Sequence, residues 1–312
     1  MAEERIKGEV VSAYVALTKP RILTMVVLMS AAGYFLGRKT IEPFVTFVAM
    51  LVGTGLSSGG AAVLNNYLER DCDVLMNRTK TRALPRNAID PIHALFYGLT
   101  LSLLGVFLLA WQVNVLTAFL SLLTIFLYVL VYTPLKKISW WNTVVGAIPG
   151  ALPPMGGWAA ATNELDLGAW IVFLILFVWQ HPHFYAIAWM YKEDYERGGF
   201  KMLPVVHPDG VRTFRQIIGF SIVLIPVSLL PFYCGMAGVI YAWGVGIMGI
   251  GMLLLGIKLW RTHSVQDART LLMASVIYLP IMGASIFLSM TSLSIKKALE
   301  IPSAVDVSVE TI

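Results

Sequence analysis

The chain has 312 residues, 57% of them hydrophobic and 13% charged, with a formal net charge of +5 and a mean hydropathy of +0.74. A soluble domain carries about twice that share of charge, so a soluble globular fold is excluded, and apolar runs of about 20 residues point to helices that cross a bilayer. Strict short-range alternation, the mark of a transmembrane barrel, is absent. The two cysteines, Cys72 and Cys234, give no disulfide framework, and the modest positive charge needs no nucleic acid to explain it.

The expected fold is all-α: a polytopic membrane protein, one domain over residues 1–312, built as a bundle of nine transmembrane helices. The chain opens with a polar segment, 1–21, whose early Glu3 and Glu4 and sparse Arg do not suit a transit peptide. Spans follow near 22–37, 43–67, 92–111, 115–132, 141–161, 168–190, 214–234, 237–257 and 271–293. The fifth holds Pro149-Gly150 and Pro153-Pro154, which predicts a kinked or broken helix, and Pro226, Pro231 and Pro280 predict bends in the seventh and ninth. The residues after Leu293 read as a flexible tail, 294–312.

Lys and Arg set the orientation. With the N-terminus in the cytoplasm, 19 of the 23 basic residues fall on the cytoplasmic side, and only Arg38, Lys39, Lys296 and Lys297 lie opposite. An odd number of spans keeps this asymmetry; an even number breaks it. A bacterial cytoplasmic membrane is the simplest location. Two long loops, about 70–91 and 191–213, share the cytoplasmic face. Each begins with acidic residues at a span end and continues with basic ones, so the chain reads as two related halves.

The densest chemistry lies at the end of the second span. Asn65, Glu69 and Asp73 are spaced i, i+4, i+8. Each step of four adds about 40° on a helix, so the three side chains share one face over roughly two turns. Hard oxygen ligands there, with Arg78, Lys80 and Arg82 just downstream, suit a Mg²⁺-bound polyphosphate. A lone acidic helix end is usually just solvated; the regular spacing and the second acidic end argue against that here. Asp71 points elsewhere and ranks lower.

Tyr132 and Lys136 end the fourth span at the same face. An interfacial Tyr–Lys pair is common; the functional reading makes Lys136 a phosphate ligand and Tyr132 a cation-stabilising or hydrogen-bonding group. His181 and His183 fall inside the sixth span. Their i, i+2 spacing puts them on different faces of a helix, against a shared metal site, although one imidazole could meet a haem-like or polar ligand. Lys192, Glu193 and Asp194 open the second long loop.

This arrangement resembles the UbiA-type intramembrane prenyltransferases, whose first Asn-xxx-Asp-xxx-Asp motif matches Asn65, Glu69 and Asp73, with Glu at the middle place. Further matching segments are Leu17 to Arg21, Met76 to Arg82, Tyr132 to Lys136, Asn142 to Trp158, His181 to Phe184 and Gly198 to Val206. The His-Pro-His-Phe and Met-Leu-Pro-Val-Val elements are similar to the haem-directed branch, the protohaem IX farnesyltransferases. The second Asp motif is incomplete, with Trp189 and Glu193 at the corresponding places.

The resemblance implies transfer of farnesyl from farnesyl diphosphate to a vinyl group of haem B, with addition of water. It implies Mg²⁺ on Asn65, Glu69 and Asp73, a catalytic Tyr132, and diphosphate contacts from Arg21, Arg78, Lys80, Arg82, Lys136 and Lys192. Glu193 and Asp194 become a second acidic motif, and His181 and His183 haem contacts. A haem A synthase or an oxidase is implied as assembly partner. A quinone-precursor acceptor is the nearer alternative, and a transporter the alternative from another class.

Overall fold

The computed structural model describes the backbone of residues 2–299, and side chains over 9–286 and at Leu288. Among these residues all regular structure is helical: α1 (Ala2–Leu17), α2 (Pro20–Arg38), α3 (Phe44–Asp73), α4 (Pro91–Gln112), α5 (Val115–Ile125), α6 (Thr133–Ile138), α7 (Asn142–Thr162), α8 (Leu167–Met190), α9 (Lys192–Arg197), α10 (Leu203–Val206), α11 (Val211–Tyr233), α12 (Val239–Thr262) and α13 (Val265–Leu299). A π-helical stretch, Phe126–Tyr132, joins α5 to α6 without a break. Of the expected flexible tail, 294–299 continue α13, and 300–312 lie outside the described residues. Within the opening segment, residues 2–17 form α1.

Eight helices are long and apolar enough to cross a membrane among the described residues: α2, α3, α4, the continuous Val115–Ile138 segment, α8, α11, α12 and Val265–Ile286 of α13. The protein is therefore an integral membrane protein. The expected span outside this set is the fifth. It forms α7, a 21-residue helix rich in Gly, Ala and Pro. Helix α7 is buried along most of its length between α2 and α8, so it needs little lipid-facing apolar surface.

The prolines of α7 do not break it. Asn142–Thr162 is one helix through Pro149, Pro153 and Pro154, and polar side chains of neighbouring helices bond to two of its carbonyls. The Ser30 hydroxyl donates to the Pro153 carbonyl at 3.0 Å, and the Gln180 amide donates to the Ala147 carbonyl at 3.2 Å. Intramembrane prolines are tolerated where packed neighbouring helices surround the chain, as α2 and α8 surround α7. Pro226, Pro231 and Pro280 likewise sit inside α11 and α13.

Small residues bring the helices close enough to build the site. On α3 and α4, a Cβ on Gly60 would collide with the Ser102 backbone, and one on Gly105 with the Ser57 backbone. Close backbone approach through small residues is the usual way helices associate in lipid. At 30 residues, α3 is about 45 Å long and exceeds a hydrocarbon core of about 30 Å. Its last turns can therefore carry charged groups while its first five turns remain uncharged.

Candidate active site

Asn65, Glu69 and Asp73 are buried on one face of α3, with 1%, 4% and 1% of their surfaces exposed. Buried charges need partners, and three cations from three separate segments supply them. Lys19, between α1 and α2, donates from Nζ to Asn65 Oδ1 at 2.6 Å. Lys136 of α6 donates to Glu69 Oε1 at 2.7 Å. Arg82, in the loop after α3, donates to Asp73 Oδ2 at 2.8 Å. Asn65 Nδ2 donates to Thr133 Oγ1 at 2.9 Å, whose hydroxyl passes on to the Tyr128 carbonyl at 2.8 Å. Asp73 Oδ1 is buried and has no partner.

Lys19 escaped the sequence reading as a site residue. Its backbone adopts a left-handed conformation, φ 54°, which non-glycine residues rarely hold and which tends to mark functional positions. Burial pushes its ammonium down to about 7, and the nearby Arg82 adds to the fall, with Glu69 opposing. The sequence signal was present: a lysine immediately before the proline that starts an apolar helix.

Below this cluster lies a cavity of about 230 Å³. Lys19 and Tyr195 line it, together with Tyr128 and Tyr132 from the π-helical stretch and apolar residues of α2, α3, α7 and α8. The Tyr128 and Tyr132 rings stack at 5.5 Å. The wide π turn, with its i→i+5 hydrogen bonds, sets rings four apart on one face. Lys136 Nζ sits 4.6 Å from the Tyr132 ring centre.

The remaining predicted residues are placed differently. Arg78 donates to the Tyr195 hydroxyl at 3.2 Å and packs over the Tyr191 ring at 4.9 Å. Lys80 donates to Asn77 Oδ1 at 2.9 Å. Lys192 lies over the Trp189 ring at 4.9 Å. Arg21 and Glu193 are exposed. Asp194 is buried and holds the first loop: it accepts from the Asn77 and Arg78 backbone N–H at 3.1 and 3.0 Å and from the Arg197 guanidinium. Those hydrogen bonds outweigh desolvation and hold its carboxyl below the usual range.

On α8 the cavity face is Gln180, Phe184 and Ile187. The two histidines point elsewhere. His181 stacks on Phe220 of α11 at 3.6 Å and donates from Nδ1 to the Phe177 carbonyl at 2.7 Å. His183 Nδ1 lies 2.8 Å from Ser275 Oγ on α13. That hydroxyl spends its own proton on the Leu272 carbonyl at 2.6 Å, so His183 donates and its Nε2 keeps a free lone pair.

Asn65, Glu69 and Asp73 supply the oxygens of this face, and no group of three His, Cys, Asp or Glu that could hold a metal ion occurs among the described residues. Residues 26–278 match the UbiA prenyltransferase family. The chain belongs to that family. This prenyltransferase is 44% identical over 277 residues to a protoheme IX farnesyltransferase of Solibacter usitatus, covering 86% of this chain and 95% of the relative. The fold is shared with a digeranylgeranylglyceryl phosphate synthase, at a TM-score of 0.76 and 15% identity, over 90% of this chain and 98% of the other. It is shared too with a UbiA homologue of Archaeoglobus fulgidus bound to DMAPP and Mg²⁺, at a TM-score of 0.65 and 17% identity, covering 88% and 99% of the two chains.

Proposed function

We propose that this prenyltransferase joins the farnesyl group of farnesyl diphosphate to a vinyl group of haem B, with addition of water. The observation that carries the donor half is the Asn65, Glu69 and Asp73 face, ringed by Lys19, Arg82 and Lys136 and set over an apolar cavity. The acceptor half rests on the similarity to protoheme IX farnesyltransferases.

The residues fit a Mg²⁺-diphosphate site. Asp73 Oδ1 is an orphaned buried acceptor, and Mg²⁺ is commonly bound through one or two carboxylates plus substrate phosphates. When bound, Mg²⁺ would neutralise the charge that grows on the leaving diphosphate. Lys19, Arg82 and Lys136 then trade their present partners for phosphate oxygens. Tyr128 and Tyr132 present ring faces to the allylic cation, and the apolar walls keep water from quenching it.

His183 is the more accessible histidine for haem, since it is half-buried whereas His181 is sealed against Phe220; neither lines the cavity, and His181 Nε2 too is without a partner. The two long loops and the reactive end of the cavity lie at the cytoplasmic face of a bacterial inner membrane, in a bundle of nine spans that includes α7.

The test is pigment analysis of membranes supplied with haem B, farnesyl diphosphate and Mg²⁺. The expected product is a more hydrophobic haem with the mass of a hydroxyethylfarnesyl group, absent in Asp73→Asn. Unchanged haem B with a prenylated phenol instead would move the acceptor assignment to a quinone precursor.

A further inference from the structure

The cavity wall also holds a polar group that donor binding does not use. Gln180 is only 4% exposed and faces the cavity from α8. Its amide orientation is determined, because Nε2 donates to two main-chain carbonyls, Leu176 at 2.9 Å and Ala147 at 3.2 Å. Oε1 is therefore the free end, and it accepts no hydrogen bond among the described residues. It abuts Gly150 of α7, where a Cβ would collide with it. Pro149 and Gly150 line the same cavity. Their carbonyls lose their helical donors because residues 153 and 154 are prolines. Gln180 Oε1 is thus a free acceptor on a wall that also carries two carbonyls without helical donors.

A free acceptor on a mostly apolar cavity wall suits a small donor, and water is the one the proposed reaction consumes. A buried water needs two or more polar partners, which this wall supplies. We infer that Gln180 positions the water that becomes the product hydroxyl, a role that rests on the haem-vinyl reading above. The C–O bond of the farnesyl donor breaks with its electron pair leaving on diphosphate. The vinyl π pair forms the new C–C bond and leaves the carbon beside the porphyrin electron-poor. A lone pair of the held water forms the C–O bond there, and one water proton passes to the departed diphosphate. Gln180 Oε1 accepts from the other O–H and aims the lone pair. Without an aimed water, the same cation loses a neighbouring proton and gives an alkene lighter by one water.

The test reads the ratio of the two products by mass spectrometry after incubation with haem B, farnesyl diphosphate and Mg²⁺. Gln180→Met keeps the length of the side chain without a strong acceptor and should shift the hydroxyl-to-alkene ratio about tenfold toward alkene, the scale of one lost hydrogen bond. Gln180→Glu, as the neutral acid, keeps both a donor and an acceptor and should restore the hydroxyl product. Gly150→Ala, which pushes on Oε1 from another helix, should shift the ratio in the same direction as Gln180→Met. It answers the question if the methionine variant fails to fold. A wild type that makes farnesylated haem, with Gln180→Met and Gly150→Ala variants that hydroxylate normally, overturns this inference alone. A wild type that makes no haem product overturns the haem reading with it.

Discussion

The end of α3 and the start of α9 both set carboxylates beside lysines and arginines in the loops that pair across the bundle, yet their side chains are spent differently. At the first, Glu69 and Asp73 turn inward on one helix face, and each meets a cation brought by another segment. One carboxylate oxygen, Asp73 Oδ1, is left without a partner. At the second, Glu193 is exposed and Asp194 is consumed by Asn77, Arg78 and Arg197. What distinguishes the two is free valence rather than charge. A carboxylate that has satisfied its acceptors with backbone N–H groups is a clamp, and one that keeps an empty lone pair in a buried place is available to a ligand. The second end thus holds the loop that carries Arg82 to the first.

The sharpest way to break this comparison is to neutralise each end in turn. Asp73→Asn keeps the shape and removes the charge. It should cut prenyl transfer by about a thousandfold, the scale of removing transition-state charge stabilisation. Asp194→Asn should leave kcat within a few-fold and raise KM for the prenyl diphosphate instead, by about tenfold, since it loosens the loop without touching the donor. Steady-state kinetics on both variants decide the matter. Equal losses of kcat would make Asp194 a metal ligand after all.

Much of this was legible in the sequence, and the misses have physical causes. The apolar runs place the spans because lipid demands length and apolarity, and the i, i+4, i+8 spacing places Asn65, Glu69 and Asp73 on one face. The partners of that face were not legible. Lys19 and Lys136 reach α3 from 46 and 67 residues away, and no local pattern says which of several cations arrives. Arg78 and Lys80 looked equivalent to Arg82, but the turn after α3 sends them outward. The π-helical stretch was also hidden, since a run such as Phe126–Tyr132 reads equally well as ordinary apolar helix. His181 and His183 were correctly separated onto different faces, while the cavity residue beside them, Gln180, looked like mere context.

A smaller effect separates the two ends by ligand. Lys136→Met removes the cation that occupies Glu69. Mn²⁺ offered alone, as a spin-active stand-in for Mg²⁺, should bind a few-fold more tightly, because a competing positive charge has gone. Inorganic diphosphate should bind about tenfold more weakly, because a charge-assisted contact has gone. Opposite signs in the two titrations are the signature of a cation that exchanges one partner for the other; a loss in both would make Lys136 merely structural.

The clamp should also respond to pH in a defined direction. The folded-state value of Asp194 is held below the ordinary carboxylate range by the Arg197 guanidinium and two backbone N–H groups. Its contribution to stability is therefore complete above the ordinary value, about 4, and is lost as the pH falls through the folded-state value. Proteolysis of the loop between α3 and α4 should accelerate below about pH 4 in the wild type. In Asp194→Asn the acceleration should be present already at neutral pH, with little further change on acidification. Glu193→Gln, exposed and unspent, should follow the wild-type profile and keep activity within about twofold. Were Glu193→Gln instead to match Asp194→Asn, the second helix end would act as a carboxylate pair, and the contrast between clamp and ligand site would fail at the residue where the two ends look most alike.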